Sequence, residues 1–115
     1  MKVSADLLRG YTDVILLRRL AEEDSYGYRI NRQVAGISGG AVELNEATLY
    51  TSFRRMEAGG WIRSYWGTEG AGARRRYYAL TDAGRQRLRE ETEAWEKTRE
   101  VLNELICEEE GGKAQ

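Results

Sequence analysis

The sequence contains no histidine, no proline and a single cysteine, Cys107. Without histidine, imidazole-based zinc sites and histidine-dependent catalytic triads are excluded, and one cysteine cannot form an intramolecular disulfide. Long apolar runs are also missing. The longest, Val14-Ile15-Leu16-Leu17, falls far short of the roughly 20 residues that a membrane-spanning helix needs. Residues 1–9 hold no apolar signal core, so the expectation is a cytoplasmic protein with no membrane partner. Acidic residues are interspersed with arginine and lysine, the pattern of solvated helix faces rather than of paired catalytic acids, and no nucleophile has a base beside it. These absences leave a binding protein, not an enzyme, with no cofactor implied.

What is present describes one folded unit. The chain has 115 residues, 41% hydrophobic and 32% charged, enough for one modest core. Its net charge of −1 conceals a segregation. Residues 1–24 carry 4 basic and 5 acidic groups, residues 25–81 carry 8 and 4, and residues 82–115 carry 6 and 10. A basic middle between acidic ends points to a middle that meets a polyanion and ends that meet something else.

Periodicity places the elements. Residues 6–21 read as one helix, with apolar groups on more than one side: Leu8, Tyr11 and Ile15 on one, Leu7, Val14 and Leu17 around the axis from it. Both sides need cover, one from the domain's own core and the other from a second subunit. Ser25 is placed to cap a second helix over residues 26–34, with Gly39-Gly40 in the connection that follows. Asn45 stands at the N-cap of a third helix, in which Leu49, Phe53 and Met56 form a buried stripe and Gly59-Gly60 ends the run. The period then changes to two. Residues 61–66 form a strand, residues 67–72 a glycine-rich turn, and residues 74–80 the returning strand. Thr81 caps a last helix reaching about Ile106, in which Leu88, Trp95 and Leu102 recur every seven residues. That helix is longer than the domain's own core requires, so part of its stripe should meet another chain.

The expected fold is α+β and mainly α: a winged helix-turn-helix over residues 1–80, a long C-terminal dimerisation helix over residues 81–107, and a disordered tail at 108–115. On the third helix, Ala47, Tyr50, Thr51 and Arg54 share an outer face, with Asn45 and Thr48 beside its start. A helix fits the major groove of a DNA duplex, where Arg54 can bond guanine edges or phosphates and Thr48, Tyr50 and Thr51 can reach phosphates or a thymine methyl. The plainer alternative is an amphipathic helix with a wet face. Arg55 and Glu57 point partly toward neighbouring elements. Arg74, Arg75 and Arg76 alternate across the returning strand, and Gly70 and Gly72 would let the turn backbone approach a phosphate; here the plainer alternative is a solvated charge run. Trp95 is either packing at a dimer seam or a flat platform for a ligand, and spacing alone favours packing. Cys107 has no cationic neighbour in sequence and reads as a bystander.

The combination of Tyr26-Gly27-Tyr28, Glu43-Leu44-Asn45-Glu46-Ala47-Thr48-Leu49-Tyr50, Arg54-Arg55-Met56-Glu57-Ala58-Gly59-Gly60-Trp61-Ile62 and the closing Arg74-Arg75-Arg76-Tyr77-Tyr78-Ala79-Leu80-Thr81 resembles the PadR family of bacterial transcriptional regulators. The single C-terminal helix is similar to its short, multidrug-responsive members. The resemblance implies a homodimer joined through the first and last helices, binding double-stranded operator DNA and usually repressing. It also implies a pore at the dimer interface that takes planar aromatic effectors on Trp95, walled by Leu7, Val14, Arg18, Leu88, Arg99 and Leu102. Arg18 and Arg99 make that implied wall basic, which favours neutral or anionic aromatics over cations. The competing reading is a dimeric protein–protein interaction module in which the basic hairpin only solubilises.

Overall fold

The computed structural model describes residues 1–69 and 73–107. The expectations for Gly70 and Gly72 at the turn and for the tail at 108–115 fall outside these residues. In chain order the elements are α1 (Ala5–Leu8), α2 (Thr12–Glu22), α3 (Gly27–Ile37), α4 (Glu46–Ala58), β1 (Ile62–Glu69), β2 (Ala73–Leu80) and α5 (Asp82–Ile106). Mainly helical, with one antiparallel two-stranded sheet, this is the expected winged helix-turn-helix with a long C-terminal helix.

The first helix departs from expectation by breaking in two. Gly10 weakens helix propensity there, and the Leu8 carbonyl accepts from the Tyr11 amide at 2.8 Å in a tighter turn and from the Thr12 hydroxyl at 2.9 Å, in place of the Thr12 amide that a continuous helix would bring to it. Thr12 is buried where this happens. The second helix also differs: Ser25 does not cap it. Its extended backbone instead pairs with Tyr78, exchanging amide–carbonyl bonds of 3.1 and 2.8 Å, which adds a one-residue third strand to the sheet. Helix α3 then runs past Gly36 and ends where the Ser38 hydroxyl donates to the Val34 carbonyl; Gly39 and Gly40, both at positive φ, make the turn.

The cap expected at Asn45 is present, its side-chain oxygen accepting from the Thr48 amide at 2.8 Å. Thr81 likewise accepts from the Gly84 amide at 3.0 Å, and its hydroxyl donates to the Gly60 carbonyl at 2.7 Å. The stripe Leu49, Phe53 and Met56 is buried against Leu16, Leu17 and Leu20 of α2, Ile30 and Val34 of α3, and Ile62 and Tyr78 of the sheet. The strands pair in register from Ile62↔Leu80 to Glu69↔Ala73, so β1 continues three residues beyond the expected strand. Gly67 permits this: a Cβ there would lie 2.9 Å from the Tyr77 ring, which covers the glycine instead.

Helix α5 crosses the start of β1 at Gly84, where a Cβ would stand 2.0 Å from the Trp61 carbonyl oxygen. No side chain fits without separating the helix from the strand. Gly84→Ala is therefore expected to destabilise the fold by about 1–3 kcal/mol, the usual cost of overpacking, read as a lower urea midpoint. An unchanged midpoint would mean that the crossing yields freely.

Candidate nucleic-acid interface

Helix α4 is held on three sides. Its inner side faces the core, with Phe53 stacked on Tyr78 at 4.0 Å between ring centroids. On one flank Arg55 reaches α2, its Nε and one terminal nitrogen donating to the two carboxylate oxygens of Asp13 at 3.2 and 2.6 Å. These bonds and the Asp13 charge raise the Arg55 pKa further above its ordinary value. On the other flank Glu57 accepts from the Ser64 hydroxyl at 2.7 Å and faces Arg76 at 3.7 Å, tying the last turn of α4 to the sheet. The approach of α3 is set by Gly27, where a Cβ would meet the Tyr50 hydroxyl at 2.6 Å.

With those sides occupied, the remaining face of α4 is left open. Ala47, Thr48, Tyr50, Thr51 and Arg54 are all exposed on it, as is Asn45 at its start. Asn45 spends its side-chain oxygen on the cap. Arg54 has no ion-pair partner among the described residues. Arg55 and Glu57, expected to lean toward neighbours, are engaged with Asp13 and with Ser64 and Arg76.

The three arginines of β2 have different surroundings. Arg74 and Arg76 lie on one face, their guanidinium carbons 4.9 and 5.8 Å from the Trp66 ring centre. Arg76 also donates to the Ser64 hydroxyl at 2.9 Å, so part of its charge is spent within the fold. Arg75 is half-buried on the opposite face over the Tyr26 ring at 4.5 Å, and its Nε finds no hydrogen-bond partner among the described residues. That second face is aromatic: Tyr65 stacks on Tyr77, and the Tyr65 hydroxyl donates to Asp24 at 2.6 Å. The hydrogen bond first, then slight burial and the Asp24 charge, raise the Tyr65 pKa above 10.0.

A second concave region lies away from α4. A groove of about 680 Å³ runs between α1, α2, α3 and α5, and Leu7, Val14, Arg18, Trp95 and Leu102 all line it. Tyr11, also in the lining, meets Trp95 edge to face at 5.2 Å. Two residues grouped with these by resemblance are placed elsewhere: Leu88 is part of the core, and Arg99 is exposed and paired with Glu96. No helix among the described residues is long and apolar enough to cross a membrane.

Comparison with known proteins decides the family. The family of PadR-like transcriptional regulators matches residues 16–90. The chain belongs to the PadR family. A transcriptional regulator from Clostridium thermocellum is 39% identical, with 89% of this chain and 99% of that one covered and a TM-score of 0.82. A PadR family regulator from Clostridium difficile is 34% identical, covering 84% and 98% of the two chains, with a TM-score of 0.73. An uncharacterized protein of Lysinibacillus sphaericus is 35% identical over 101 residues, 88% of this chain and 93% of its own. PadR proteins are DNA-binding transcriptional regulators rather than enzymes, and this PadR chain carries the winged helix-turn-helix that such binding uses.

Trp66, Gly27 and Asp13 also shape this region and lie outside the residues expected from the sequence. A tryptophan facing arginines across a hairpin was a legible signal. The Gly27 and Asp13 contacts depend on how helices cross and had no local signature. Gly27→Ala should destabilise the fold by about 1–3 kcal/mol, and Tyr50→Phe, by removing the closest clashing atom, should restore part of that loss in the double variant. A double variant as unstable as the sum of the two changes, measured by urea unfolding, would place the strain elsewhere.

Proposed function

We propose that this PadR regulator is a two-fold homodimeric repressor that leaves its operator when a planar neutral or anionic aromatic occupies the space beside Trp95 between the subunits. The observation carrying this reading is the uncovered apolar surface along α1 and the far half of α5. Leu7 is 60% exposed, Leu102 44%, Leu105 71% and Ile106 74%. Exposed apolar side chains concentrated in this way mark an interface, and a second copy supplies a matching face by symmetry. The DNA contacts assigned on this reading are Ala47, Thr48, Tyr50, Thr51 and Arg54 in the major groove and Arg74 on the backbone. Asn45 holds the helix start, and Arg75 and Arg76 play supporting parts.

The ligand acts by binding more tightly to one arrangement of the dimer than to the one with recognition helices spaced for successive major grooves. A coupling of about 1–3 kcal/mol gives a 5- to 150-fold change in operator affinity. Arg18 lines the groove, whereas the charge of Arg99 is offset by Glu96. Arg19 lines the groove as well, so its wall carries two arginines, neither with an ion-pair partner among the described residues.

The test titrates a flat aromatic dye into the dimer with and without duplex DNA. Bound dye should quench tryptophan emission, lower duplex affinity and itself bind less tightly when duplex is present. Trp95→Ala should lose the dye while keeping the duplex. Dye and duplex affinities that ignore each other would remove induction from the account, and a monomer at micromolar concentration would remove the dimer.

A further inference from the structure

Trp66 sits in a position that its own fold does not explain. It is 56% exposed on β1, although a ring of this size ordinarily finds cover. Its cross-strand partner is Arg76, and Arg74 comes over the same ring from one step further along β2. The ring is thus flanked by two cations and still open to solvent. A surface that matches it must offer an apolar patch bordered by negative charge.

The place of this patch relative to α4 is fixed. Phe53 stacks on Tyr78, and Glu57 takes a hydrogen bond from Ser64; both sheet residues lie on the face that carries Trp66. Trp66 follows Ser64 by two residues, about 7 Å further along the strand. The ring therefore lies one step along β1 beyond the point where the strand is tied to the last turn of α4, with Arg76 held back by Ser64 and Glu57.

From this juxtaposition we infer that Trp66 is a duplex-contacting residue: its ring packs against deoxyribose of the DNA strand bordering the groove that α4 enters, while Arg74 takes the adjoining phosphate. The inference rests on the DNA-binding reading of α4. Deoxyribose and its phosphates supply the required pairing of an apolar surface with flanking anions. Glu57, Ser64 and Arg76 act as positioning residues that set the distance from the ring to α4. Packing on sugar is independent of base sequence, so Trp66 contributes to affinity on every duplex, whereas Arg54 is placed to discriminate among bases.

The test compares the full-length protein with Trp66→Ala, Trp66→Phe and Arg74→Ala on a fluorescein-labelled duplex across a salt series, with circular dichroism to verify folding. Trp66→Ala should weaken binding by about tenfold through lost apolar burial, equally on unrelated sequences. Its salt slope should stay unchanged, because a sugar contact releases no counterions. Trp66→Phe should recover most of the affinity, and Arg74→Ala should lower the slope. In a Trp95→Phe background, duplex should alter tryptophan emission, and Trp66→Phe should remove that response. Wild-type binding matched by Trp66→Ala, with emission unmoved by duplex, overturns the assignment while leaving α4 as the reader. Absence of duplex binding by the wild-type protein overturns both.

Discussion

The position of α4 depends on its buried stripe. Leu49, Phe53 and Met56 are anchored in the core, and the Phe53–Tyr78 stack joins helix and sheet through one aromatic contact. Tyr78 is itself held from behind by backbone pairing with Ser25, which fixes the start of α3. Because Asp13, Gly27 and Glu57 occupy or define the flanks, the outer face is what remains. Its openness is a consequence of packing, and its chemistry, small and polar groups with one arginine, suits a polar groove.

The same packing distributes the arginines. Arg55 braces α4 against α2, Arg75 is drawn onto Tyr26, and Arg76 is shared with Ser64 and Glu57. The exposed ion pairs among these, Arg55 with Asp13 and Arg76 with Glu57, contribute little to stability, about 0–1 kcal/mol each. Their effect is to orient, and to leave Arg54 and Arg74 without carboxylate partners among the described residues. The positive charge of the middle third is thereby divided between scaffold and surface, a division that a count of residues cannot make.

Much of this was legible from local rules. The caps at Asn45 and Thr81, the Leu49–Phe53–Met56 stripe and the change of period after Gly60 each follow from chemistry within a few residues. What escaped was decided between elements. Ser25 looked like a cap and became a strand because Tyr78 offered backbone partners. Residues 6–21 looked continuous until the Leu8 carbonyl accepted from the Tyr11 amide and the Thr12 hydroxyl. Leu88, grouped with Trp95 by resemblance, is taken into the core where α5 meets α2, whereas Arg99 stays exposed and pairs with Glu96 on its own helix. The groove beside Trp95 unites Leu7, Val14, Arg18 and Leu102 because α1, α2 and α5 converge, and no spacing in the sequence encodes that convergence.

The central claim is that the open face of α4 is presented twice to a duplex by a symmetric pair. Selection of genomic fragments by the purified protein, followed by sequencing and protection mapping, tests it most directly. The account predicts recovered fragments sharing an inverted repeat whose half-sites are centred roughly 10 base pairs, or a multiple of that, apart. Fragments with no common sequence, or a single half-site protected without its mate, would contradict it.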